Sequence, residues 1–193
     1  MATVRNRGRL PHWENDNATY FVTFRLADSL PRSVLQQIES ERADIIRTAQ
    51  AMKRELSAGE QRRLTARSGE RIEGYLDAGA GSCHLGKPAV AREMVRVLRH
   101  FEGDRYRLFA WCVMPNHVHV VFQPLAEYTL AGIVHGWKSY TAKEANRMLR
   151  RSGTFWQREY YDHLVRGEND LCRVNPVTAG LRNWPWVSAT STI

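Results

Sequence analysis

The sequence predicts an α+β fold, an antiparallel sheet with helices packed on one of its faces. Three observations predict it. Strand-like and helix-like segments follow in the order strand, helices, helix, strand, strand, helix, strand. The two clearest strands are separated only by Met114-Pro-Asn-His117, which suggests a hairpin. The helical segments carry apolar stripes at helical spacing, so each has one side to bury.

Tyr20 to Leu26 (YFVTFRL) is rich in β-branched and aromatic residues and bounded by polar residues, so it reads as the first strand. A long helical stretch follows Ser29-Leu-Pro-Arg, with Pro31 tolerated in a first turn. Val34, Leu35, Ile38, Ile45, Ile46 and Ala49 approximate its stripe. Ser57-Ala-Gly-Glu60 fits a capping box, which predicts a new helix from there to about Leu76. Residues 32–71 hold nine basic against six acidic residues, a balance that reads as a solvated helical face. Asp77 to Ser82 is glycine-rich but lacks the Gly-Lys-Ser/Thr ending of a phosphate-cradling loop. Pro88 opens the next helix, to about Phe101, with Val90, Met94, Val95, Val97 and Leu98 inward. Strands are expected at Asp104–Met114 and Val118–Gln123. Thr129–Arg151 is an amphipathic helix with Leu130, Ile133, Val134, Trp137, Ala145 and Met148 inward. Tyr160–Arg166 is a further strand, and the last residues read as irregular. The expected organisation is a basic flexible arm at 1–15, one domain at 16–187 with a helical insertion at about 32–78, and a tail at 188–193.

The length of 193 residues suits one domain. Lys and Arg exceed Asp and Glu by 28 − 20 = 8, which favours polyanionic partners. Cys83, Cys112 and Cys172 are odd in number and widely spaced. They argue against a disulfide framework and a cysteine zinc site, and for reduced thiols in the cytoplasm. The longest apolar run, Leu108 to Met114, is far short of the roughly 20 residues of a membrane helix. Arg5, Arg7 and Arg9 precede no apolar stretch of a secretory signal and read as phosphate contacts.

His117-Val-His119 is the constellation with chemistry in it. On a strand, residues two apart share a face, so both imidazoles can converge on one cation while Val118 packs on the other side. Neutral imidazole suits divalent metals. A catalytic site needs further ligands and an open position. The same spacing also fits two incidental strand histidines. A metal hydrolase with water as nucleophile would need acids close by, and the nearest acid after the pair is Glu127, beyond a proline.

Val113-Met-Pro-Asn-His-Val-His-Val-Val-Phe122 resembles the histidine–hydrophobe–histidine motif of single-tyrosine transposases. More narrowly, the chain resembles the REP-associated tyrosine transposases. The opening strand TYFVTFRLADSLP, WKSYTAKEAN at 137–146, FWQREYYDHLVR at 155–166, NPVTAGL at 175–181 and WPW at 184–186 follow in the order such proteins show. The resemblance implies a ferredoxin-like antiparallel sheet with the histidines on a central strand. It implies Mg2+ or Mn2+ held by His117, His119 and Asn175. It implies a tyrosine that attacks single-stranded or hairpin DNA of palindromic repeats, at the nucleoid, in a monomer or a homodimer. Covalent attachment would conserve the bond for rejoining.

This chain departs from the pattern where the nucleophile belongs. The family places a tyrosine one helical turn before the asparagine, and here Leu171 stands there. The stretch from Arg166 to Asn175 is also short. Either the protein binds DNA without cutting it, or another tyrosine substitutes. The candidates are Tyr140, which would be assayed first, and the pair Tyr160 and Tyr161; each also reads as a packed aromatic. Lys138, Lys143, Arg147, Arg150 and Arg151 form an expected phosphate-facing side of the last helix. Arg158, His163 and Arg166 are expected along the DNA path. Trp156 reads as a core anchor.

Overall fold

The computed structural model of the chain describes residues 3–7, 10–14, 18–62, 64, 68–167 and 187–189. Its strands are β1 (Thr3–Arg7), β2 (Leu10–Glu14), β3 (Tyr20–Arg25), β4 (Tyr106–Val113), β5 (His117–Pro124), β6 (Tyr161–Leu164) and β7 (Val187–Ala189). Its helices are α1 (Arg32–Ala51), α2 (Ala58–Arg62), α3 (Ser68–Asp77), α4 (Pro88–Arg99) and α5 (Leu130–Met148). The chain divides into two compact units, Met1–Ala27 with His84–Ile193, and Asp28–Cys83. No helix among the described residues is long and apolar enough to cross a membrane.

The first unit is built on a five-stranded sheet in the order β6-β3-β5-β4-β7, with every pairing antiparallel. This is the α+β architecture the sequence predicts. The hairpin closes as expected, with Met114 N–H donating to the His117 carbonyl at 2.9 Å. The bounds of α4 follow from Pro88 at its first turn and from the spacing of Val90, Ala91, Met94, Val97 and Leu98, all buried. Thr129 caps α5, its hydroxyl accepting from Gly132 N–H at 3.1 Å. Val22, Phe24, Val118, Val120 and Phe122 share one apolar cluster with the buried sides of α4 and α5. A buried polar chain ties the layers together. Trp137 Nε1 donates to Tyr106 Oη at 2.9 Å, and Tyr106 Oη donates to the Leu98 carbonyl at 2.8 Å.

Three expectations change. Residues of the expected flexible arm pair as an antiparallel hairpin, β1 with β2. The tail does not begin at 188, because β7 pairs with β4, Trp111 opposite Ser188. Met148, expected inward, is exposed, whereas Thr141 is buried on the inner side of α5. A single hydroxyl can bury because it donates to the Trp137 carbonyl one turn back, at 2.6 Å.

In the second unit the predicted capping box is formed. Glu60 N–H donates to Ser57 Oγ at 3.3 Å, and Ser57 N–H donates to Glu60 Oε2 at 2.8 Å. The glycine-rich loop closes against the start of the unit. Ser82 N–H donates to Asp28 Oδ2 at 3.0 Å, and Gly81 sits at φ +90° where a Cβ would fall 2.5 Å from the Asp28 carbonyl oxygen. Gly81→Ala is therefore expected to destabilise this unit by about 1–3 kcal/mol, from backbone strain together with the clash. Urea unfolding of variant and parent, compared at their midpoints, reads the effect.

Candidate metal centre and nucleic-acid face

The register of the sheet decides what meets what. Val118, Val120 and Phe122 face the helices, so His117, His119 and Val121 face the opposite side. Cross-strand partners share a face. Arg25 lies opposite His117, while Thr23 and Cys112 lie opposite His119 on either side. β6 extends the same face outward, with Tyr161 opposite Thr23 and His163 opposite Phe21.

The two histidines converge as the spacing predicts. Their Nε2 atoms are 2.8 Å apart. Each ring is fixed from behind: His117 Nδ1 meets Asn116 Oδ1 at 2.7 Å, and His119 Nδ1 meets Thr23 Oγ1 at 2.8 Å. Phe21 stacks on the His119 ring, 5.4 Å between centroids. Burial lowers the His117 pKa to about 4. Burial, reinforced by His117, holds His119 well below its ordinary value. Both rings are therefore neutral near pH 7.

The partners assign the protons. Asn116 Oδ1 only accepts, so His117 carries its proton on Nδ1 and presents a lone pair at Nε2. His119 then donates its Nε2 proton to His117, and Thr23 donates to His119 Nδ1. A hydroxyl can reverse its role. When Thr23 accepts instead, His119 moves its proton to Nδ1 and both Nε2 lone pairs point at one place.

That arrangement fits a divalent cation. Two ligands at right angles, each about 2.0–2.1 Å from an ion, lie about 2.9 Å apart. Neutral imidazoles with anchored Nδ1 atoms are the form that metals bind. Among the described residues, no group of three or more His, Cys, Asp and Glu side chains gathers here. Cys112 is no thiolate donor, because burial pushes its thiol up to about 12. Asn175, expected as the third ligand, lies outside the described residues. Arg25 adds a cation beside His117. Its burial lowers the pKa only to about 10, so the charge persists at neutral pH and favours an anion there.

Asn116, Thr23, Phe21 and Arg25 were missed as site residues by the sequence reading. Asn116 stood in the quoted motif without a role. The other three lie on β3, and only the strand register brings them to the histidines. Thr23→Val removes the hydroxyl at nearly constant shape. On the reading proposed below, it is expected to weaken Mn2+ binding by roughly 10–100-fold with the fold intact, as titration calorimetry would read.

The expected nucleophile Tyr140 is elsewhere. It lies on α5, on the helix-covered side of the sheet, where Arg96 donates to its hydroxyl at 2.9 Å. The sheet separates it from the histidines of the same chain. Tyr160 packs against the helix-side core, with the Lys138 ammonium 5.7 Å from its ring centre. Trp156 is the expected anchor, edge-on to Phe24 and donating from Nε1 to Thr141 Oγ1 at 2.9 Å.

The basic residues divide as well. Lys138 does not offer its charge to a phosphate. Its ammonium donates to the Gln157 and Arg158 carbonyls, each at 2.8 Å, and binds α5 to the segment before β6. Desolvation lowers its pKa to about 8. Between pH 8 and 10.5 the unfolded chain thus holds more protons at this site, so stability from it rises with pH across that window. Lys138→Met is expected to flatten the rise, measured as unfolding midpoints at pH 8 and 10. Lys143, Arg147 and Arg150 are exposed on or just beyond α5, Arg147 pairing with Glu144. Arg151 is half-buried, donating to the Thr154 carbonyl. These side chains belong to the helix layer, on the other side of the sheet from the histidines. Arg158 and Arg166 are exposed on either side of β6, and His163 lies on the histidine face. Arg5 and Arg7 fall on β1 with side chains outside the described part, and Arg9 lies outside the described residues.

Comparison with known proteins returns matches over the part of the chain that carries the two histidines. Residues 88–172, from α4 through β6, match the family "Transposase IS200 like". A Haemophilus influenzae protein assigned as a REP-associated tyrosine transposase is 26% identical over 103 residues, covering 43% of this chain and 58% of that protein. The chain thus spans little more than half of that relative's length. The resemblance read from the motifs is the one these matches give. Among solved structures, a REP-associated tyrosine transposase bound to a REP hairpin aligns over 94% of this chain and 82% of its own, at 16% identity and TM-score 0.46. A Deinococcus radiodurans protein assigned as a transposase aligns over 91% and 97%, at 12% identity and TM-score 0.34.

Proposed function

We propose that the chain is a DNA-processing protein of the REP-associated transposase type. It binds single-stranded or hairpin DNA of palindromic repeats and cleaves and rejoins it through a tyrosine–phosphate link. His117 and His119 hold Mg2+ or Mn2+, with Asn175 as the third ligand that the resemblance implies. When bound, the cation polarises the phosphate and stabilises the charge that develops on it. The observation that carries the reading is the convergence of two neutral Nε2 atoms, 2.8 Å apart, with both Nδ1 atoms anchored. Arg25 favours the phosphate at the same face, and the family match spans this hairpin. The protein acts on nucleoid DNA in the cytoplasm, alone or as a homodimer.

The test is incubation of the full chain with labelled hairpin DNA and Mn2+, followed by a denaturing gel. A slow-migrating covalent adduct that vanishes in His117→Ala supports the reading. An adduct that survives both histidine substitutions overturns the metal centre. Tight hairpin binding without adduct favours a second reading, a DNA-binding protein that has lost cleavage. That reading rests on Leu171, which stands where the family has its tyrosine. In either case affinity should fall steeply with salt, as phosphate contacts release counterions.

A further inference from the structure

We propose that Tyr161 supplies the nucleophilic hydroxyl of this chain, in place of the tyrosine missing at 171. The inference rests on the cleavage reading above and deepens it. All seven tyrosines of the sequence lie among the described residues, so each can be placed. Tyr20 and Tyr106 are buried in the helix-side core. Tyr128 and Tyr140 line a cavity against α4 and α5, and Tyr160 packs on the same core. Tyr75 belongs to the other compact unit. Within the first unit, the register puts Tyr161 alone on the histidine face, in the row Tyr161, Thr23, His119.

The reach is suitable. Adjacent strands are about 4.8 Å apart, so Tyr161 stands two strand spacings, about 10 Å, from His119. Thr23, the residue between them in the row, is small, so the Tyr161 ring and the two imidazoles flank a short side chain on one face. Tyr161 is 47% exposed on β6, so a DNA strand has access to it. Burial would have argued for a packed aromatic, and exposure of a large ring at a sheet edge does not. In the reaction Tyr161 Oη forms a bond to phosphorus, and the bond from phosphorus to the leaving deoxyribose oxygen breaks. The phenolic proton passes to water, and the deoxyribose oxygen takes a proton from water. Rejoining reverses these steps with a second DNA end.

Two measurements on the full chain test the assignment. In protein labelled with 3-fluorotyrosine, the 19F resonance lost in Tyr161→Phe identifies this side chain. Added Mn2+ should broaden that resonance far more than that of Tyr140, and His117→Ala should abolish the broadening. Broadening confined to other tyrosines overturns the proposal without DNA or turnover. Second, Tyr161→Phe should reduce hairpin adduct at least 100-fold with hairpin affinity within twofold, and peptide mapping of the parent should find the DNA on Tyr161. Adduct that persists in Tyr161→Phe refutes Tyr161 and leaves the cleavage reading standing. Hairpin binding with Mn2+ broadening but no adduct in the parent refutes both, and leaves a binding protein.

Discussion

His117→Ala and His119→Ala are each expected to abolish Mn2+ binding at micromolar to millimolar ion and, with it, covalent attachment to DNA. On the proposed reading each removes half of the described donor set. The loss should exceed the roughly 10–100-fold that an outer partner such as Thr23 commands. The fold should survive. His117 and His119 project from the side of β5 that does not meet the helices. What His117→Ala forfeits is the ring's hydrogen bonds to Asn116 Oδ1 and His119 Nε2, a cost of about 0.5–1.5 kcal/mol each. Calorimetric titration below the unfolding midpoint therefore reads ligand loss and not unfolding. Retained binding in both single variants would place the ion elsewhere.

The convergence of the two histidines was legible before any coordinates, for a physical reason. The strand period of two makes His117 and His119 neighbours on one face whatever the rest of the chain does. Helix stripes are local in the same way, and so α4 and α5 fall where their apolar spacing puts them. What the sequence could not show depends on pairing between distant strands. Nothing local in YFVTFRL says that Thr23 will stand behind His119, 96 residues away, or that Arg25 will stand beside His117, because distant strands pair there. The same limit misled the choice among tyrosines. Tyr140 follows the histidines closely in the chain and sits on the next helix, yet that helix covers the other side of the sheet. Tyr161 is further along the chain and shares the face, since β6 joins through β3. Lys138 was misjudged by composition. A basic helix side looks uniform in sequence, but one of its ammonium groups lies within reach of two carbonyls and serves packing.

Phe122→Ala is expected to be the most damaging single truncation, destabilising the first unit by about 3–5 kcal/mol. Phe122 is fully buried on β5, the middle strand of the sheet. Its ring lies edge-on to Trp137 of α5 at 4.7 Å and to Tyr106 of β4 at 5.9 Å. Truncation therefore opens a cavity where β5, β4 and α5 meet, and it also forfeits two aromatic contacts worth about 0.5–1.5 kcal/mol each. The pair cannot simply close over the gap. Trp137 Nε1 and Tyr106 Oη are tied to each other and to Leu98 of α4, so collapse would strain or break that buried chain. Denaturant unfolding followed by tryptophan fluorescence reads the loss, and a change below about 1 kcal/mol would mean that the helix layer is not held there. The contrast with His117 is the deeper point. β5 is buried from His117 to Phe122, and burial alone would assign all six residues to the core. Alternation separates them. Residues toward the helices hold the fold, and truncating them should change stability first. On the proposed reading, residues toward the other face hold the ion, and truncating them should change ion and DNA chemistry first. A Phe122→Ala protein kept folded at low temperature should still bind Mn2+, because its histidines, Thr23 and Asn116 lie on the side the cavity does not reach.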